Sequence, residues 1–173
     1  MKLLRYGMSA TGASGGNEKP GMLDDTGVLR DLSGMVDDIA GETLLPENIE
    51  RLRKIDPASL PEVAGNPRLG PCVGQVGKFI CIGLNYADHA KEAGLNVPPE
   101  PIIFAKANSA ICGANDDVVI PRNSVKTDWE VELGVVIGKP AKYVDEKSAL
   151  DHVAGYCVIN DISEREFQIE RSG

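Results

Sequence analysis

Two glutamates separated by one residue, Glu130 and Glu132, lie in the stretch 128–138, which reads DWEVELGVVIG. β-Branched residues dominate this stretch and no proline interrupts it, so we predict one strand. Alternate side chains of a strand share a face, so both glutamates would point toward one target. A third acid, Asp161, follows the apolar run 156–159. Three carboxylates without Cys or His are typical ligands of a hard cation such as Mg²⁺ or Mn²⁺.

Each of these acids also has an ordinary structural alternative. Paired glutamates on a strand are most often the solvated side of a half-buried sheet. Asp161 is also a candidate helix N-cap for the segment 161–173, because Glu164 follows three residues later as in a capping box. Spacing alone leaves these alternatives open.

A histidine and a lysine offer further chemistry. His89 and Glu92 lie three residues apart in a predicted helix over 85–94, so they share a face. A carboxylate beside an imidazole orients the ring and raises its basicity, as a general base requires; the alternative is an ordinary exposed histidine. Lys106 ends the predicted strand 102–106, where it is either solvated or holds an anionic substrate carboxylate.

Strands and short helices must position these groups. Residues 2–33 are predicted to form a small β-meander, and 56–71, rich in Pro and Gly, a linker into the main domain. The predicted strands are 2–6, 28–32, 78–84, 102–106, 118–120 and 128–138. The predicted helices are two short ones within 35–55, the second starting at Pro46, then 85–94 closed by Gly94, 145–153 containing a structural His152, and a last one from Asp161.

The glycines within 12–16 predict a flexible turn rather than a phosphate loop, because no strand-then-helix context with a lysine follows them. Among 173 residues, 19 Gly and 11 Pro favour a β-rich fold with many turns over a helical bundle. A net charge of −8 argues against nucleic acid or an anionic membrane as partner. No apolar run is long enough to span a bilayer, so a cytoplasmic protein is expected.

The four cysteines are widely separated, which disfavours a zinc or thiol-based function. Cys81 and Cys157 lie in apolar runs and are expected to be small, buried, reduced residues. The other two are Cys72 and Cys112.

Taken together, four segments resemble the fumarylacetoacetate hydrolase (FAH) family in residues, order and spacing. They are GLNYADHAKE at 83–92, FAK at 104–106, DWEVELGVVIG at 128–138 and GYCVIND at 155–161. The resemblance implies an α+β, β-rich fold, with an FAH-like mixed β-roll or barrel core at 70–173 and a small N-terminal α+β domain at 1–69. Domains of this family continue beyond the position of residue 173 and carry another lysine in that C-terminal part. The catalytic domain is therefore expected to be incomplete at its C-terminus. Sheet edges and apolar surface are then expected to be left open.

The resemblance also assigns roles. It implies that Glu130, Glu132 and Asp161 bind Mg²⁺ or Mn²⁺, with Ca²⁺ able to replace them in crystals. His89 and Glu92 are then the dyad that activates water on a lid helix. The remaining two matched side chains, Lys106 and Tyr86, are implied to bind substrate.

The implied function is metal-dependent hydrolysis of a carbon–carbon bond in a small keto acid, an acylpyruvate or another β-diketo acid, including diketo-deoxy sugar acids. Alternatives within the family are a 2-hydroxyhepta-2,4-diene-1,7-dioate isomerase or decarboxylase and a ureidoglycolate lyase. A non-catalytic metal-binding fragment is an alternative outside it. A homodimer is expected from the family alone.

Overall fold

The computed structural model describes residues 1–8 and 17–171, so the predicted glycine turn at 12–16 lies outside the described residues. Its first unit is a three-stranded antiparallel sheet whose strands lie in chain order, which confirms the predicted meander. The turn between the second and third strands is held by Asp24, whose Oδ1 accepts hydrogen bonds from the N–H groups of Thr26 and Val28. The strands are β1 (Lys2–Tyr6), β2 (Lys19–Leu23) and β3 (Leu29–Asp31).

A short helical segment covers this sheet. The 3₁₀ turn Gly41–Leu44 precedes helix α1 (Pro46–Arg53), which begins at the predicted proline. Proline suits the first position of a helix because the N–H it lacks would have no partner there. The segment and the sheet share the main hydrophobic cluster of the described residues, whose fully buried members are Met22, Leu32, Ile39 and Leu52.

The segment 56–71 packs along the first sheet and is not a free linker. It contains the 3₁₀ turn Pro57–Ser59 and forms two isolated β-bridges, Arg30 with Glu62 and Tyr6 with Leu69. Arg68 at its end binds both Glu18 and Asp116 through its guanidinium group. The proposed domain boundary at 69/70 stays a prediction, and the contacts across it are extensive.

The middle of the chain contains an antiparallel pair, β4 (Ile80–Gly83) and β5 (Ile102–Ala105), with helix α2 (Ala87–Glu92) between them. The predicted helix end is confirmed. Gly94 has φ +67°, its N–H donates to the Lys91 carbonyl, and the Leu95 N–H donates to the Ala90 carbonyl. This 6→1 and 5→2 pattern is a Schellman motif, which favours glycine because the position is left-handed.

The second half contains two strand pairs where one long strand was expected. β6 (Thr127–Asp128) pairs with β9 (Ser163–Glu164), whereas β7 (Val131–Ile137) pairs with β8 (Val153–Asn160). The predicted strand 128–138 is therefore broken at Trp129 and Glu130, because its two parts have different partners. These sheets stay separate, and the described residues form no closed barrel.

Two further local predictions are wrong, and a third, the helix over 145–153, is confirmed in position with a 3₁₀ geometry. Residues 118–120 form no strand, since no described segment pairs with them and their valine and isoleucine side chains are exposed. The predicted helix 145–153 is a 3₁₀ helix, Glu146–His152, and the strand β8 begins directly after it. Asp161 does not cap a helix, because a two-residue strand intervenes before the π-helical turn Glu166–Arg171.

The pair β7 and β8 has two unlike faces. Along β7 the residues Glu132, Gly134 and Val136 are half-buried, and the residues that alternate with them are exposed. The exposed face is apolar, in agreement with the expected open surface; it comprises Val131, Leu133, Val135, Ile137, Tyr156 and Val158. Among the described residues no helix is long and apolar enough to cross a membrane.

Candidate functional site

Glu130 and Asp161 lie opposite one another where β7 begins and β8 ends. Val131 pairs with Asn160, and one step further the Asp161 N–H donates to the Glu130 carbonyl at 2.8 Å. Glu132, two residues along β7, lies on the same half-buried side. The register of β7 and β8 thus brings Asp161, directly after β8, opposite Glu130, directly before β7, with Glu132 on the same side of β7; this is the first condition for a shared cation.

Two cationic side chains form ion pairs with acids of this cluster. The Nζ atom of Lys106, directly after β5, lies 2.5 Å from Asp161 Oδ1, and both side chains are mostly buried. Arg165 Nη1 lies 2.8 Å from Glu130 Oε1, and its Nη2 lies 2.9 Å from Asp128 Oδ2. Lys106 is therefore not solvated, and Asp161 is ion-paired rather than helix-capping. Removing a buried carboxylate from water is costly unless a cation compensates, which these contacts do.

The pKa of the Cys81 thiol depends on the charges of this acid cluster. The thiol of Cys81, on β4, has its pKa raised by burial first and then by the negative charges of Asp161 and Glu132, with Lys106 opposing them. Charges act on a thiol in this way only at short range. The ion pair from Lys106 to Asp161 likewise places the pair β4–β5 beside the acidic region at the end of β8.

The donor chemistry of this region fits a hard divalent cation, since Glu130, Glu132 and Asp161 offer only carboxylate oxygens. Within 1–8 and 17–171, however, no three acidic, histidine or cysteine side chains converge closely enough to hold a metal ion. Two of the three carboxylates are turned toward Arg165 and Lys106. A cation bound here would replace Arg165 and Lys106 as the partner of these carboxylates.

The predicted dyad lies on α2 but is not assembled. His89 and Glu92 are both exposed, and nowhere in the described part of the chain do their side chains form a hydrogen bond or ion pair with one another. Tyr86, the N-cap of α2, accepts a hydrogen bond from the Leu133 N–H at 3.4 Å, so the helix is attached to β7. Leu84, between β4 and α2, has φ +52°, a left-handed conformation that is costly for leucine and is found at constrained sites.

Sequence reasoning missed Arg165 and Asp128. Arg165 joins Asp128 to Glu130 from a segment 35 residues downstream of Glu130, and no local pattern encodes that contact. Asp128 did carry a signal, because it precedes Glu130 and Glu132 in the same two-residue alternation.

Comparison with curated proteins first gives relatives whose names state only a broad class, hydrolase. A protein of Burkholderia orbicola (strain MC0-3) is 65% identical over 173 residues, and one of Burkholderia multivorans is 64% identical. Their names go no further than hydrolase. The chain matches along its whole length but spans only 59% of each relative.

The family follows from a second comparison. Residues 78–172 match the family model described as fumarylacetoacetate (FAA) hydrolase C-terminal, which is more than half of the chain. The chain therefore belongs to the fumarylacetoacetate hydrolase family.

Solved structures agree on the fold and differ in activity. A fumarylacetoacetate hydrolase from Exiguobacterium antarcticum superposes with a TM-score of 0.73 at 30% identity, covering 98% of this chain and 58% of that one. A 5-carboxymethyl-2-hydroxymuconate delta-isomerase from Mycobacterium smegmatis gives 0.65 at 26% identity, covering 100% of this chain and 59% of that one. The mixed, β-rich fold predicted from the sequence is thereby confirmed.

Proposed function

We propose that this chain belongs to a divalent-metal-dependent hydrolase that cleaves a carbon–carbon bond in an acylpyruvate or another β-diketo acid. The observation that carries the proposal is the register that sets Asp161 opposite Glu130, with Glu132 on the same side of β7. Membership of the hydrolase family supports the reaction class. The homodimer expected from the resemblance and the cytoplasmic location expected from the apolar pattern of the sequence stay predictions.

In this proposal Glu130, Glu132 and Asp161 hold Mg²⁺ or Mn²⁺. When bound, the divalent cation supplies electrophilic polarisation of a substrate carbonyl and stabilises developing enolate charge. The Nζ atom of Lys106 lies 2.5 Å from Asp161. Its ammonium group is therefore close enough to hold the carboxylate of a keto acid that binds to a cation at these acids. Tyr86, whose hydroxyl accepts a hydrogen bond from the Leu133 N–H of β7, is the second substrate-binding candidate.

His89 serves as general base in this scheme. A ring nitrogen of His89 takes a proton from water, and the resulting hydroxide attacks the carbonyl remote from the substrate carboxylate. Glu92 accepts a hydrogen bond from the other ring nitrogen and so orients the imidazole. Since both side chains are exposed, the proposal requires α2 to move over the acid cluster, excluding water as it closes.

An isomerase or decarboxylase acting on a 2-hydroxydiene dioate is the second candidate. The superposition with a delta-isomerase favours it, as does the separation of His89 from Glu92. Moving a double bond requires proton transfer on carbon and needs no activated water. The two candidates therefore differ in whether His89 is essential.

The test is turnover of acetylpyruvate and of a 2-hydroxydiene dioate with Mn²⁺ present, comparing His89→Ala with Lys91→Ala. Lys91 is a matched control because it is exposed on the same short helix. Loss of a general base costs about 10²- to 10⁴-fold in rate, so we expect that fall in kcat for His89→Ala and little change for Lys91→Ala. Acetylpyruvate hydrolysis that persists in His89→Ala contradicts the assigned role, and dienoate turnover alone favours the second candidate.

A further inference from the structure

One face of the strand pair β7–β8 is a continuous apolar surface that water can reach. The register places Leu133 opposite Val158 and Val135 opposite Tyr156, so the two rows of side chains lie side by side on this face. Among residues 1–8 and 17–171 no other strand pairs with β7 or β8. The members of the face are between 47% and 81% exposed, and they are Val131, Leu133, Val135, Ile137, Tyr156 and Val158. A contiguous apolar surface of this kind marks an interaction site.

The face carries no charged side chain. Glu132 alternates with its members along β7 and therefore lies on the opposite side of the strand. The whole chain has a net charge of −8, so most surfaces of two copies repel one another. On the apolar face two copies can approach without this repulsion. The same lack of lysine and arginine disfavours an anionic membrane as the covering surface.

The area of the face is close to what a dimer requires. Full burial removes about 60–120 Å² for an aliphatic side chain and about 150–250 Å² for an aromatic one. Scaled by their exposure, the six side chains offer roughly 300–500 Å² of apolar area. Because somewhat more than half of an interface is apolar, this area corresponds to about 500–800 Å² per partner. Specific interfaces bury about 600–1,000 Å² per partner, so the estimate overlaps the lower part of that range.

We propose that the apolar face is the interface at which two copies of this chain stack as a symmetric dimer. A two-fold axis brings the same patch of both copies together, so apolar side chains of one copy pack on those of the other. Sheets packed in this way lie about 10 Å apart with interdigitated side chains. The resemblance implied a homodimer without naming a surface, and the inference does not depend on the proposed reaction.

The first test is sedimentation equilibrium over a range of protein concentrations, with lysine substitutions on each strand of the face. Wild type should show a reversible monomer–dimer equilibrium. In Val131→Lys and Val158→Lys the two-fold axis brings two charges into the interface, so the dimer should dissociate at least ~10-fold more readily. Val119→Lys is the matched control, because Val119 is 86% exposed and lies outside the face, and it should dimerise as wild type does.

The second test uses wild type alone, so it decides the matter even if a lysine variant folds poorly. Hydroxyl-radical labelling followed by mass spectrometry reports the exposure of individual tyrosines. Tyr156 is 59% exposed on the face, and Tyr143, 96% exposed outside it, is the internal control. Labelling of Tyr156 should fall as the protein concentration rises through the dimerisation range, and labelling of Tyr143 should stay constant.

Three outcomes overturn the proposal. The first is a wild type that stays monomeric at every concentration. The second is a dimer that leaves Tyr156 labelled or that tolerates both lysines of the face, since another surface then joins the copies. The third is protection of Tyr156 that dilution does not change, which means that another part of the same molecule covers the face.

Discussion

Replacing Lys106 with methionine tests the link between the ion pairs and the cation site. In the metal-free protein Lys106 holds Asp161 at 2.5 Å, and Asp161 is one of the three proposed ligands. A cation that binds Asp161 must displace the lysine. The variant Lys106→Met keeps the length and apolar stem of the side chain but removes the competing charge.

The magnitude follows from the burial of the pair. The side chains of Lys106 and Asp161 are 26% and 15% exposed. Exposed pairs contribute about 0–1 kcal/mol, and breaking a fully buried pair costs about 3–5 kcal/mol, so about 1–2 kcal/mol is expected here. The metal-free protein should lose that much free energy of unfolding. Because the metal-bound protein has already lost the pair, affinity for Mn²⁺ should rise by the same free energy, about 5- to 30-fold.

The assay combines calorimetric titration of Mn²⁺ with urea denaturation in the presence and absence of a chelator. Lys126→Met is the matched control, because Lys126 also forms a 2.5 Å ion pair, with the exposed Glu170, which is not a proposed ligand. The control should change neither quantity by more than about 0.5 kcal/mol. If Lys106→Met loses stability but its Mn²⁺ affinity does not rise, Lys106 does not compete with a cation for Asp161, and the reasoning is refuted.

Two further predictions concern the framework of the site. Gly134→Ala should lower the free energy of unfolding, measured in urea, by about 1–3 kcal/mol, because the new Cβ atom would meet the Cys157 sulfur. In the control Gly155→Ala the new Cβ atom has no neighbour within 4 Å, so the free energy of unfolding should change little. Equal effects of the two substitutions would contradict this prediction. The hydrogen bond from Arg68 lowers the pKa of Asp116 in the folded protein. The Asp116 carboxylate therefore stabilises the fold at pH values above its unfolded pKa of about 4. This contribution is lost as the pH falls through the lowered pKa of the folded state. Denaturation from pH 6 downward should therefore show a shallower acid loss in Asp116→Asn than in wild type, and parallel curves would rule out this contribution.

Local patterns predicted local structure well. Gly94 ends α2 because only a left-handed residue completes the Schellman motif, and Pro46 begins α1 because its missing N–H costs nothing there. Alternation also placed Glu130 and Glu132 on one side, as the burial pattern of this segment confirms.

Features that depend on distant partners could not be read from local sequence. The break at Trp129 and Glu130 arises because β6 pairs with β9 and β7 with β8, so that Asp128 lies opposite Ser163 and Val131 opposite Asn160. Residues 118–120 have strand-forming side chains, but a strand also needs a backbone partner, and none of the described residues provides one.

The acids of the candidate site and Lys106 were predictable, whereas Arg165 and the ion pairs were not. The motif residues named Glu130, Glu132 and Asp161, and the β7–β8 register brings the first and last together. The bonds from Lys106 to Asp161 and from Arg165 to Glu130 join residues far apart in the chain, so spacing gave no sign of them.

The central claim is that this acid cluster binds a divalent cation. The most direct test is calorimetric titration of Mn²⁺ into chelator-treated protein. The titration compares wild type with the variants Glu132→Gln and Glu47→Gln. Glu47 is an exposed glutamate on α1 and controls for the change in charge. The account predicts one-site binding that Glu132→Gln abolishes and Glu47→Gln retains. Wild type that binds no Mn²⁺, or binding of equal strength in Glu132→Gln, would contradict it.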